Sequence, residues 1–222
     1  MRITSLTLFS NDLDKQARFY GETLGFEVER KENELSLQVG NTQLHFQYAE
    51  TAWTYHYCFL IPANQLQEGI AWLRERLDIL RIEGDRIIQR FDSWNADSVY
   101  FDDGNGSLAE FIVRYDLEND SNQPFGLESI LNVNEIGTPT TAIAAVNDGM
   151  KQKVGSDFWK GDLDRFGTHG SQEGLLLLVN PEKKETWFPT GLPIQTSPYK
   201  AVVEHGGKSF ALSYENGNLE IH

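Results

Sequence analysis

An apolar stripe occurs twice in the first half of the chain, at a fixed interval. Leu13, Ala17, Tyr20 and Leu24 stand 4, 3 and 4 residues apart, which lines up one face of an amphipathic helix. Leu66, Ile70, Leu73 and Leu77 repeat that spacing, each 53 positions after its counterpart. A stripe that returns at a fixed interval marks a repeated folding unit, and that limits the architectures open to the chain.

The flanking segments repeat as well. The extended segment Arg2 to Phe9 leads through Ser10-Asn11-Asp12 into the first stripe, and Tyr55 to Ile61 leads through Pro62-Ala63-Asn64 into the second. Three strand-like runs follow the first stripe: Phe26 to Arg30, Leu35 to Val39, and Gln43 to Tyr48 after a Gly40-Asn41 turn. After the second come Ile79 to Phe91 with a turn near Gly84-Asp85, Ser98 to Phe101, and Leu108 to Arg114 beyond Gly104-Asn105-Gly106. The unit is therefore strand, helix, three strands, used twice, in modules at 1–50 and 54–116.

Side chains alternate across a strand, so Leu44 and Phe46 face the helix and His45 faces away. Ala109 and Phe111 place Glu110 in the same way. His56 opens its strand, and its counterpart in the first unit is Ser5. Two imidazoles and one carboxylate from separate strands form a facial set that holds a divalent metal and leaves positions open for substrate. His45, His56 and Glu110 are accordingly the candidate metal ligands. A lone strand histidine is more often a hydrogen-bonded structural residue; the coincidence at repeat-equivalent positions favours a site. Asp102-Asp103-Gly104-Asn105 has some features of a calcium loop, but a hairpin turn accounts for it better.

These stretches resemble the vicinal oxygen chelate superfamily, which groups glyoxalase I, extradiol ring-cleaving dioxygenases and the fosfomycin and bleomycin resistance proteins. The resemblance is carried by Ile3 through Leu8, by Leu13 through Phe26, by Val99-Tyr100-Phe101-Asp102-Asp103-Gly104-Asn105, and by Ala109-Glu110-Phe111. It covers roughly residues 1 to 116. It implies an α+β fold of paired βαβββ modules forming a curved, cavity-enclosing mixed sheet with a divalent metal (Fe2+, Mn2+, Ni2+ or Zn2+) in its hollow. It also implies that Glu110 is both a ligand and the catalytic proton-transfer base. Ser5 departs from the pattern, because serine is a poor ligand where the family usually has His, Gln or Glu. The implied activity is metal-dependent chemistry on vicinal oxygens of a small substrate, as an isomerase or lyase or as a ring-cleaving dioxygenase. The alternative is a non-catalytic small-molecule-binding or drug-sequestering protein, and by analogy a homodimer.

Beyond a polar linker at 117–126, residues 126–222 read as a C-terminal half. Leu127 to Glu135 predicts a strand, Thr138-Pro139 a helix start, Gly174 to Val179 a buried strand, and Lys200 to Glu204, Ser209 to Tyr214 and Leu219 to Ile221 closing strands. A degenerate third module plus a truncated fourth explains this order, and a cap over the first cavity or a dimer surface is the competing reading. His169 and His205, both beside glycines, read as surface residues. Trp94, in the polar loop Asp92-Ser93-Trp94-Asn95, is the candidate for substrate contact.

Composition excludes several classes of partner. The formal charge of −14 and the absence of a basic stripe argue against nucleic acid and against anionic membranes. No apolar run is long enough to span a bilayer, and the N-terminal residues do not form a secretory signal. The single cysteine, Cys58, sits in an apolar strand and reads as an inert thiol in a reducing cytoplasm.

Overall fold

The computed structural model describes residues 1–222. The first module comprises β1 (Arg2–Ser10), α1 (Leu13–Ala17, continued as a wider π-helical coil over Arg18–Leu24), β2 (Val28–Arg30), β3 (Glu34–Val39) and β4 (Thr42–Tyr48). The second comprises β5 (His56–Leu60), α2 (Leu66–Arg74), β6 (Gln89–Phe91), β7 (Ala96–Asp102) and β8 (Leu108–Arg114). The same order returns as β9 (Asn132–Pro139), α3 (Ile143–Lys153), β10 (Phe158–Gly161), β11 (Phe166–Ser171) and β12 (Gly174–Val179). A shortened set without a helix closes the chain: β13 (Tyr199–His205), β14 (Lys208–Glu215) and β15 (Asn218–Ile221).

The local chemistry explains the elements. Asp12 caps α1 by accepting from the Lys15 amide at 2.9 Å. The coil ends at Gly25, whose φ of 92° is open to glycine at no steric cost. The Leu66, Ile70 and Leu73 stripe buries one face of α2. Thr138 and Pro139, expected to begin a helix, instead finish β9, where Pro139 pairs with Val179 at the strand end. The helix begins four residues later, at Ile143.

Two mixed sheets result, and each draws on both halves of the chain. The first runs β15-β14-β13-β1-β4-β3-β2 and the second β10-β11-β12-β9-β5-β8-β7-β6. The first module is thus joined to the fourth through the antiparallel pair β1–β13. The second is joined to the third through β5–β9. Strands of the first and second modules share no sheet, and this decides which candidate ligands can meet.

The helix-facing sides of both sheets pack into one hydrophobic core that spans Leu6, Leu44 and Phe46 on one side and Tyr57, Phe59 and Phe111 on the other. A buried polar chain crosses it. Tyr57 Oη donates to Asp103 Oδ2 at 2.9 Å, so the 2.6 Å contact between Tyr20 and Tyr57 must have Tyr20 as donor. Gln16 Nε2 donates to the same carboxylate oxygen at 3.2 Å, tying α1 to the β7–β8 turn. That turn is the Asp102-Asp103-Gly104-Asn105 segment; Asp103 Oδ1 accepts from the Asn105 and Ser107 amides, as a hairpin requires.

Candidate metal centre

The concave face of the second sheet, away from the core, carries the site. Cys58 on β5 is flanked in register by Glu110 on β8 and by Glu135 on β9. His56 lies two residues before Cys58, on the same face. Between Tyr57 and Phe59 the β9 register slips, because Cys58 opposes Glu135 while Phe59 opposes Val133, leaving Asn134 as an extra residue. This bulge aims both Asn134 and Glu135 at one neighbour, Arg114.

His56, Glu110 and Glu135 are all buried, and each offers a ligand atom within 4.8 Å of the others. His56 Nδ1 lies 3.1 Å from the Leu108 carbonyl oxygen, which can only accept. The ring proton therefore sits on Nδ1, and the Nε2 lone pair faces Glu110 Oε2 at 3.4 Å. Burial lowers the His56 pKa to about 4, so the ring is neutral at physiological pH. Burial also holds the Glu110 carboxyl well above the ordinary carboxylate range, and the Glu135 charge pushes it further. Glu135 is raised by burial too, with Arg114 opposing.

Arg114 is fully buried. Its Nη2 pairs with Glu135 Oε1, and its Nε donates to Asn134 Oδ1 at 2.9 Å. The guanidinium carbon stands 5.5 Å from the Trp94 ring centre and 5.3 Å from that of Trp159. These two rings, 5.3 Å apart, come from opposite edges of the curled sheet, and Lys160 Nζ also reaches the Ser93 carbonyl across the seam. Trp94 and Trp159 thus close one end of the hollow over Arg114.

The other wall is the segment 180–198 between β12 and β13. Its Trp187 packs on the His56 ring with centroids 4.9 Å apart. It seats there because residue 137 is glycine: a Cβ at that position would lie 2.7 Å from the Trp187 ring. The resulting cavity, about 310 Å³, is lined by His56, Glu110, Glu135, Lys184 and a set of aromatic and aliphatic side chains that includes Trp94.

The sequence-derived set is therefore only partly assembled. His56 and Glu110 come together, and Trp94 lines their cavity. His45 does not join them. It lies on β4 in the first sheet, with Nδ1 3.0 Å from Glu34 Oε1 in a partly exposed pair. Alternation across the strand turns it away from the helix, but the face it takes belongs to the other sheet, not to the concave side that carries His56 and Glu110. Glu135, singled out by no repeat, takes the third position; in sequence it stands beside Asn134 between Val133 and Ile136, with no apolar run to mark it. His169, expected at the surface, is buried on β11 between Ser156 Oγ at 2.7 Å and Asn147 Oδ1 at 3.0 Å. Cys58 is buried, and burial raises its thiol pKa, as an inert core cysteine requires.

Fold and cluster define a class: a protein of duplicated βαβββ modules with a His/Glu/Glu cluster, side chains that could hold a metal ion, gathered on the concave face of a curled sheet. The chain belongs to the Glyoxalase/Bleomycin resistance protein/Dioxygenase superfamily, whose family model matches residues 2–111. Among solved structures, a Bacillus subtilis protein provisionally assigned as a dioxygenase aligns over 100% of this chain and 84% of its own, with TM-score 0.59 and 13% identity. Glyoxalase I from Zea mays aligns over 80% of this chain and 66% of its own, with TM-score 0.51 and 14% identity. A point mutant of the same maize enzyme gives 81%, 68%, 0.54 and 14%. At such identities the likeness concerns the fold. No curated protein sequence matches the chain. No helix is long and apolar enough to cross a membrane.

Proposed function

We propose that this protein is a metal-dependent enzyme that binds a divalent ion at His56, Glu110 and Glu135 and acts on a small molecule with adjacent oxygens. One observation carries the reading. Three lone-pair groups face one another in a buried cavity, and the only imidazole proton is already committed to the Leu108 carbonyl. Such a set needs either a proton on Glu110 or a cation among the three, and its donor chemistry suits a divalent metal. A bound ion there supplies Lewis acidity toward two neighbouring substrate oxygens.

The chain's own residues do the rest. Leu108 fixes the His56 tautomer, and Arg114 with Asn134 fixes Glu135. Glu110 is the proton carrier: burial, with the Glu135 charge beside it, raises its carboxyl well above the ordinary carboxylate range and so favours its holding a proton. Trp187 and the Trp94–Trp159 seam restrict water. The cavity lining holds no second histidine to serve as acid–base partner in ring cleavage, which favours isomerase or lyase chemistry. The setting is a reducing cytoplasm, in keeping with the free Cys58.

The test is to strip the protein with a chelator and reload it separately with Mn2+, Fe2+, Ni2+ and Zn2+. Each form is then assayed against hemithioacetals and catechols, with an oxygen electrode in parallel. Turnover that depends on the ion and consumes no oxygen is expected. Absence of turnover with every ion, together with unchanged ligand binding after chelation, would make the protein a sequestering one instead.

A further inference from the structure

Lys184 enters the cavity from the covering segment, outside the repeated modules and outside the matched region. Its ammonium donates to the Thr186 carbonyl and stands 5.4 Å from the Trp187 ring centre. No carboxylate compensates it: burial and the nearby Arg165 both work against its charge and lower its pKa to about 8. In a chain of net charge −14 with many surface acids, a half-buried lysine that forms no ion pair, although Glu182 and Glu185 flank it in sequence, is unexpected on composition alone.

Charge balance in the hollow sharpens the point. A divalent ion would balance the charges of Glu110 and Glu135, leaving the net positive charge of Arg114, which stays paired with Glu135 outside the cavity lining, and of Lys184, which lines the cavity without an ion-pair partner. Arg114 is sealed behind the Trp94–Trp159 seam and engaged with Glu135. Lys184 is the cation free to meet something that enters. Cations in such surroundings call for an anionic ligand. Apart from Leu177, the remaining walls are Phe91, Trp94, Tyr100, Phe166, Trp187 and Phe188, whose flat faces suit a planar guest. About 310 Å³ is at the small end for ligand cavities and holds a single-ring molecule.

We propose that the substrate is a small planar organic acid, one conjugated ring bearing a carboxylate, whose acid group meets Lys184 while its far edge faces His56, Glu110 and Glu135. This rests on the metal-site reading for the orientation of the far edge, but the lysine contact is separable from it. Lys184 is then a specificity residue: it selects the charged ligand over its neutral isostere and leaves the metal site alone.

The experiment compares benzoate with benzamide as probes of the intact protein, followed by quenching of tryptophan fluorescence with and without Mn2+. Wild type should prefer benzoate by about tenfold, the scale of one charge-assisted contact. Lys184→Met should abolish that preference and Lys184→Arg should restore it. Both variants should keep the wild-type circular dichroism and take up Mn2+ as wild type does. Equal binding of the two probes by wild type, no binding of either, or an unchanged preference in Lys184→Met would each overturn the proposal. If wild type takes up no Mn2+ yet keeps a benzoate preference that Lys184→Met loses, the lysine assignment stands and the metal reading falls.

Discussion

The two sheets present the same positions with different chemistry. In the second sheet, Cys58 is flanked by Glu110 and Glu135, with His56 two residues before it. In the first sheet, Thr7 holds the equivalent place, flanked by His45 on β4 and Lys200 on β13, with Ser5 two residues before it. The scaffold thus offers four strand positions twice. One copy reads Cys, His, Glu, Glu under a cover; the other reads Thr, Ser, His, Lys on a partly exposed face. Segment 180–198 walls the cavity of the second sheet and contributes nothing to the hollow around Thr7, His45 and Lys200, so in the second sheet desolvation turns ordinary side chains into groups that demand a counter-charge. In the first sheet water solvates His45, Glu34 and Lys200, and nothing is demanded. Duplication supplied the geometry; burial and the identity of the third residue supplied the chemistry.

The contrast predicts unequal responses to substitution. Arg114→Met leaves the Glu135 charge buried without its partner and should cost about 3–5 kcal/mol in urea unfolding, the scale for breaking a buried pair. Lys200→Met, at the open face, should stay within about 0.5 kcal/mol. Similar losses for the two would erase the distinction drawn between the sheets.

A smaller effect concerns pH. The Glu110 pKa is raised in the folded state, so its contribution to stability is complete below the unfolded value and is lost as pH rises through the folded one. His56 is lowered to about 4, so its contribution is present above its unfolded value of 6.5 and is lost as pH falls toward 4. In metal-free protein Glu110→Gln should therefore raise the melting temperature at pH 7.5 by about 2–4 °C and weaken the decline on the alkaline side. A melting temperature unchanged or lowered at pH 7.5 would mean that the buried carboxyl is already satisfied.

The sequence exposed much of this, and the failures have physical causes. β1 and β4 followed from alternation, β5 and β8 from short apolar runs bounded by turn signals, and the α2 face from Leu66, Ile70 and Leu73. Leu77 falls beyond α2, and the first stripe continues through a π-helical coil over Arg18–Leu24 that a 3.6-residue pattern does not encode. β10 and β11 were missed: Phe158 to Ser171 mixes aromatic, charged and glycine residues without alternation, so His169 looked like a loop residue. Glu110 and His56 were legible because the repeat aligned them. Glu135 was not, because its place depends on β9 pairing with β5, a contact between distant segments that no local pattern encodes. The same non-local choice misplaced His45: strand alternation tells which face a side chain takes, but not which modules share a sheet.

Calorimetric titration of Mn2+ into metal-free protein bears most directly on the central claim, run on wild type, Glu135→Gln and His45→Ala. One equivalent should bind wild type and His45→Ala alike, and affinity should fall by at least about 100-fold in Glu135→Gln, since a ligand counts for no less than its outer supports. Undiminished binding in Glu135→Gln, or loss of binding in His45→Ala, would contradict the assignment of the site to the covered sheet.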